Sequence, residues 1–251
     1  MILERLATIE PDHGIKILFA CESGSRGWGF PSPDSDYDVR FIYLRSKRSY
    51  LSIEEKKQEL HFPISDELDI NGWDLKKVLR LMLKSNTTPF EWLQSPMIYS
   101  ACDGFRDRLW GLCQDYFSQR INTHHYLGIA IGALEGLSNG NAIRIKKLFY
   151  VLRPLLASKW CLERNEIAPM EMLPLMELLP DALKAETEEL IRLKSGLNEA
   201  HMITISDAML QFILEEKERI SQASSSLPGQ IFSTEKLNDF FTDAIELYED
   251  R

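Results

Sequence analysis

The sequence predicts an α/β (α+β) unit followed by a helical C-terminal region. Three observations carry that expectation. Short β-branched and aromatic runs occupy residues 15–21 and 37–44, a glycine-, proline- and serine-rich interval separates them, and helical periodicity takes over from about residue 119. A chain of 251 residues accommodates one catalytic-size domain plus an appendage, and the change of period sets the expected boundary at 1–118 and 119–251.

Taken in order, IKILFAC (15–21) and YDVRFIYL (37–44) read as strands, and HFPISDELDINGW (61–73) is a broken third run that alternates around Leu68 and Ile70. Leu75, Val78, Leu79, Met82 and Leu83 fall at helical spacing, with Asp74 as a natural N-cap and Asn86 near the end. HYLGIAIGALEGL, RIKKLFYVLRPLLASKWCLE and ISDAMLQFILEEKERISQ continue as helices, Pro154 kinking the second or restarting it a turn later. Residues 222–233 form a Ser, Pro and Gly loop before a short last helix.

With 44% hydrophobic and 27% charged residues, the composition excludes a disordered chain, a collagen-like repeat and a disulfide miniprotein. Cys21, Cys102, Cys113 and Cys161 are scattered without a CxxC pair, which points to buried thiols in a reducing compartment and away from zinc. No apolar run reaches the length of a membrane span, and MILERLATIEPDHG carries acidic residues where a signal peptide needs basic ones, so the expectation is a cytoplasmic protein with no membrane partner. The formal charge of -9 repels phosphate polymers, so RNA contact requires a local basic patch. Residues 140–164 supply one, with six basic residues against one acidic, while 165–251 hold 18 acidic and 7 basic.

The chemistry concentrates in CESGSRGWGFPSPDSDYDV (21–39). Asp36 and Asp38 stand two apart at the start of a strand run, which directs both carboxylates to one side. Paired carboxylates repel unless a cation lies between them, and Mg²⁺ is the natural one because it takes oxygen ligands and keeps substrate phosphates in its shell. Gly24 permits close backbone approach, and Ser25 adds a hydroxyl where the chain turns, a phosphate cradle in character. A third carboxylate from a neighbouring strand would complete the set; Asp66, Asp69 and Asp74 compete for it, with Asp69, between Leu68 and Ile70, the first choice and Asp74, which would be employed as a helix cap, the fallback. Read alone, PSPDSDYD is a turn string whose side chains bond their own backbone. Its combination with the GS and a downstream acidic strand favours the metal site.

The order GS, ten residues, DxD and a later acidic strand resembles the DNA polymerase β-like nucleotidyltransferase superfamily. The strings SRGWGFPSPDSDYDVRFIY, DINGWDLKKVL, SNTTPFEWLQSP and IKKLFYVLRPLL resemble one branch of it, predicted nucleotidyltransferases that include RNA-ligase-associated polymerases of RNA repair. The resemblance implies a mixed-sheet catalytic domain followed by helices, two Mg²⁺ ions, and transfer of a nucleoside monophosphate from an NTP such as ATP with release of pyrophosphate. It assigns Gly24 and Ser25 to the triphosphate, Asp36 and Asp38 to the metals, and Asp69 to the third carboxylate. An RNA 3′ end is the acceptor the branch implies; a protein, a small molecule, or a regulatory module without turnover are the alternatives. Arg26 could pair with a phosphate, and Lys146, Tyr150 and Arg153, at i, i+4 and i+7, could form a cationic wall with a stacking ring. An amphipathic helix with solvated basic side chains is the plainer reading of that face.

Overall fold

Every residue of the run 15–21 except Lys16 is buried, the pattern of a strand covered on both faces. The structure, a computed structural model, describes residues 1–64, 67–134 and 141–248. In chain order α1 (Ile2–His13) precedes β1 (Ile15–Glu22), the one-turn α2 (Gly24–Gly27), β2 (Tyr37–Arg45), α3 (Lys47–Tyr50), β3 (Glu59–His61), β4 (Leu68–Asp74), α4 (Leu75–Met82), α5 (Thr87–Gln94), β5 (Ile98–Ala101) and α6 (Phe105–Gln114). Then come α7 (Gln119–Leu134), β6 (Ala142–Arg144), α8 (Ile145–Arg164), α9 (Met172–Leu175), α10 (Asp181–Lys194), β7 (Met202–Thr204), α11 (Asp207–Ser224) and α12 (Glu235–Tyr248). The α/β class expected from the sequence is the class observed.

Two compact units hold these elements. One comprises 1–24, 36–116 and 231–251, the other 25–35 and 117–230. Both are discontinuous, whereas the sequence-based division at 118 was contiguous. The last helix counts with the sheet unit because Phe240 and Tyr248 pack on Phe105. The loop 25–35 counts with the helical unit because Phe30 is buried and stacks on Phe149, with centroids 4.7 Å apart.

In the first unit the sheet order is β3-β4-β2-β1-β5, and of its pairings only β2 with β4 is parallel. Val39, Phe41 and Tyr43 of β2 and Leu68 and Ile70 of β4 join Leu6 and Ile9 of α1 in one apolar cluster. Side chains alternate along a strand, so Asp38 and Arg40 on β2, and Asp69 and Asn71 on β4, point to the opposite side of the sheet. The broken run 61–73 resolves into the end of β3 and most of β4; Asp66, a competing acidic residue in the sequence, lies outside the described residues. Asp74 caps α4 as expected, its side chain accepting from the Lys76 amide. Asn86 caps the following helix, α5, rather than closing α4.

In the second unit α8 is the core element, packed with α7 and α11. Pro154 lies within one continuous 20-residue helix and does not restart it. Its missing N–H removes a single hydrogen bond, while Leu152, Leu155 and Leu156 around it are completely buried, and that burial holds the helix together. The second region also contains a short antiparallel pair, β6 with β7, that the sequence reading passed over.

Candidate active site

Gly24 follows β1 with φ +58°, in the left-handed region that glycine occupies without strain. A Cβ placed there would stand 1.8 Å from Asp38 Oδ2, so this position leaves room for hydrogen only. The amide of Ser23 donates to the Asp38 carbonyl at 2.8 Å, which fixes the bend against the start of β2. Glycine is thus required twice, by backbone conformation and by the approach of a carboxylate.

Asp38 is paired in register with Asp69 across the parallel strands β2 and β4, and both side chains are about a quarter exposed. Arg40, two residues beyond Asp38 and therefore on the same face, donates through Nη2 to Asp38 Oδ1 at 2.8 Å and to Asp69 Oδ2 at 2.7 Å. Asp36 lies one residue before β2 and is exposed, so the same-face argument from strand geometry applies to Asp38 and Arg40, not to Asp36 with Asp38. Of the competitors for the third carboxylate that lie among the described residues, Asp69 is the one beside Asp38. Asp74 pairs in register with Tyr43, about 16 Å farther along the strands. It is buried, accepts from Tyr50 Oη and from the Lys76 amide at 2.9 Å each, and pairs with Arg45. Burial pushes its carboxyl above the ordinary Asp range, and those hydrogen bonds together with Arg45 pull it back.

Behind Asp38 stands a residue that the sequence reading missed. Glu22 is completely buried, and its Oε1 accepts the Asp38 amide at 2.9 Å while Oε2 accepts the Tyr99 hydroxyl. A glutamate ending an otherwise apolar strand directly before SGS was the available signal. Next to it, burial, with the Glu22 charge second, pushes the Cys21 thiol far above its ordinary value, so Cys21 is no nucleophile.

Would these residues suit Mg²⁺? Among the described residues no group of three or more His, Cys, Asp or Glu side chains converges as a complete metal cage. Mg²⁺ seldom uses such a cage, being held by one or two carboxylates with phosphate and water completing the shell. Asp38 and Asp69 meet that requirement in their hard oxygen donors, their adjacency and their partial exposure. A cationic group already joins them.

The remaining candidates belong to the second unit. The Ser25 hydroxyl is buried and donates to Ser35 Oγ at 3.0 Å, and Ser35 Oγ donates to Glu199 Oε1 at 2.9 Å. Arg26 donates to the Ser35 carbonyl at 2.8 Å and so closes the loop on itself. Glu199 also pairs with Lys146, and its amide donates to Asp34. Below this network Lys194 is completely buried, donating to Ser32 Oγ at 2.9 Å, and burial lowers its pKa, countered by Glu199.

The face Lys146–Tyr150–Arg153 divides. Arg153 is buried, with its guanidinium 4.5 Å from the centre of the Trp28 ring and its Nε donating to the Met170 carbonyl at 2.9 Å. It serves packing and is no part of an open cationic wall. Lys146 stays half-exposed, and with Arg144, Lys147, Tyr150 and Glu199 it lines a cavity of about 480 Å³, within the range of small-ligand sites. Arg144 and Lys147 are the members that the i, i+4, i+7 reading left out.

No helix among the described residues is long and apolar enough to cross a membrane. The chain is 41% identical to the Bacillus subtilis (strain 168) protein described as "Uncharacterized protein YcgL" over 248 residues, 98% of this chain and 95% of that one. Among solved structures it matches a nucleotidyltransferase-like protein from Exiguobacterium sibiricum 255-15 at 12% identity and a TM-score of 0.32, covering 100% of this chain and 81% of the other. The family model RlaP, described as RNA repair pathway DNA polymerase beta family, matches residues 1–243. Spanning nearly the whole chain, that match makes the protein a member of the RNA repair pathway DNA polymerase beta family.

Proposed function

We propose that the protein transfers a nucleoside monophosphate from an NTP to a hydroxyl, releasing pyrophosphate, and that the hydroxyl is an RNA 3′ end. The observation that carries this reading is the pairing of Asp38 with Asp69 across β2 and β4, with Gly24 pressed against Asp38. Asp38 and Asp69, with Asp36 two residues before Asp38, would hold two Mg²⁺ ions. Bound Mg²⁺ supplies charge stabilisation at the α-phosphate and the departing pyrophosphate, worth several kcal/mol in such reactions.

The chain's own groups do the rest. Gly24, lacking a side chain, lets the triphosphate approach the backbone, and the hydrogen-bonded loop from Ser25 to Ser35 holds that bend in one shape. Asp69 takes the proton from the attacking hydroxyl, and the buried Glu22 fixes the backbone of Asp38 so that its carboxylate does not wander. The second unit by itself presents Arg144, Lys146 and Lys147 to RNA phosphates, and Tyr150 offers its ring to a base. Cytoplasmic RNA is the setting that this chemistry and the absence of a CxxC pair fit.

The test is incubation with Mg²⁺, each α-labelled NTP and total RNA. Labelled RNA from the wild type, with label lost in Asp38→Asn and Asp69→Asn variants that retain the wild-type circular dichroism, is the expected result. Label on protein or a small molecule would move the acceptor to another class. NTP binding without any labelled product would identify a module without turnover, and wild-type labelling by either variant would overturn the site.

A further inference from the structure

Arg40 holds its guanidinium by two different kinds of contact. Nη2 spans Asp38 and Asp69, whereas Nη1 donates to the backbone carbonyls of Asp69 at 2.9 Å and Val39 at 3.1 Å. Two carboxylates adjacent in a parallel register repel unless a cation joins them, and here Nη2 is the joining group. Directly across from Arg40 in the strand register stands Asn71, whose Oδ1 is buried and accepts no hydrogen bond among the described residues. Buried acceptors are almost always satisfied, so an unmade one on the same face of the sheet is an alternative partner within the same pair of strands.

Resting on the nucleotidyl-transfer reading above, we infer that Arg40 is a positioning residue that keeps the divalent-cation site filled with its own guanidinium. It yields that place when the ion arrives: Nη2 leaves the carboxylates for Asn71 Oδ1, while Nη1 keeps its backbone contacts. In the metal-free chain Arg40 prevents Asp38 and Asp69 from splaying apart. In the loaded chain it has been displaced, so its presence weakens metal binding. That consequence separates the inference from a structural salt bridge, whose loss would loosen the carboxylates and weaken the metal instead.

The measurement is Mn²⁺ titrated into the full chain, read by electron paramagnetic resonance, with thermal melts with and without the ion. Arg40→Gln is expected to bind Mn²⁺ tighter by about tenfold or more, the scale of one charge-assisted hydrogen bond. It is also expected to melt lower without the ion and to gain more on its addition. Arg40→Lys, which keeps the charge and loses the fork, falls between and decides the matter should Arg40→Gln fail to fold. Asn71→Leu removes the alternative acceptor, so it weakens Mn²⁺ binding in the Arg40 chain and leaves the Arg40→Gln chain unaltered. If the wild type binds Mn²⁺ in a manner lost in Asp38→Asn, yet the folded Arg40 variants bind equally or more weakly, the inference falls and the metal reading stands. If no chain binds the ion, the inference falls, and the labelled-NTP assay decides the transfer reading separately.

Discussion

Asp69 and Asp74 are five residues apart on one strand run and differ in everything that decides a role. Asp69 is partly exposed beside Asp38, while Asp74 is buried as a cap under Tyr50 and Arg45. Asp74→Ala removes a helix cap and takes away the acceptor of the Tyr50 hydroxyl proton, so it should cost about 2 kcal/mol of stability. NTP transfer measured below the melting temperature should persist. Asp69→Ala should do the reverse, abolishing transfer with a denaturation midpoint near or above that of the wild type. Parallel assays of the two variants check the assignment, and transfer lost in Asp74→Ala with stability intact would reverse it. At this scale the DxD and the acidic strand were legible as residue types and spacings. Arg40 and Glu22 were not, because an arginine inside a strand and a glutamate ending one acquire meaning only from what lies across the sheet.

Among the elements, the loop 25–35 owes its shape to groups far away in sequence. Phe30 stacks on Phe149, Trp28 meets Arg153 and Tyr150, and Ser32 receives the buried ammonium of Lys194 at the end of α10. The lowered pKa of Lys194 has a definite sign. The unfolded chain binds this proton more tightly, so the penalty of burying the charge is fully present near neutral pH and is relieved as pH rises into the ordinary lysine range. Denaturant unfolding at a series of pH values should show the wild type gaining stability relative to Lys194→Met as pH climbs from 7 toward about 10. A constant difference would mean that burial does not perturb this lysine. The aromatic anchoring of the loop was legible, since Trp28 and Phe30 flank a glycine and such rings tend to reach a core. Lys194 was invisible in a stretch that reads as a solvated acidic and basic helix.

The whole molecule carries net charge -9, and among the described residues the cavity lined by Arg144, Lys146 and Lys147 offers phosphate three cations in one place. Should all three meet RNA phosphates, affinity for a single strand should fall with salt with a log–log slope of about -2, and Lys147→Ala should reduce that slope by about 0.7. Fluorescence anisotropy of a labelled oligonucleotide between low and physiological salt measures both quantities. A slope near zero would remove RNA from that cavity. Lys146 is held by Glu199, so Glu199→Gln is expected to raise RNA affinity through the same cations.

The local signals in the chain determined the strands over 15–21 and 37–44, that Asp74 caps α4, and that Gly24, Asp36, Asp38 and Asp69 are the residues to watch. Those features depend on nearest neighbours: side-chain period, capping chemistry and the freedom of glycine. Tertiary structure alone decided that β2 and β4 run parallel with Asp38 beside Asp69, that Arg40 joins them, and that Arg153 lies under Trp28 and not in solvent. Strand register and burial are set by cooperative packing between segments distant in sequence, and no local pattern encodes which charge will find itself next to which.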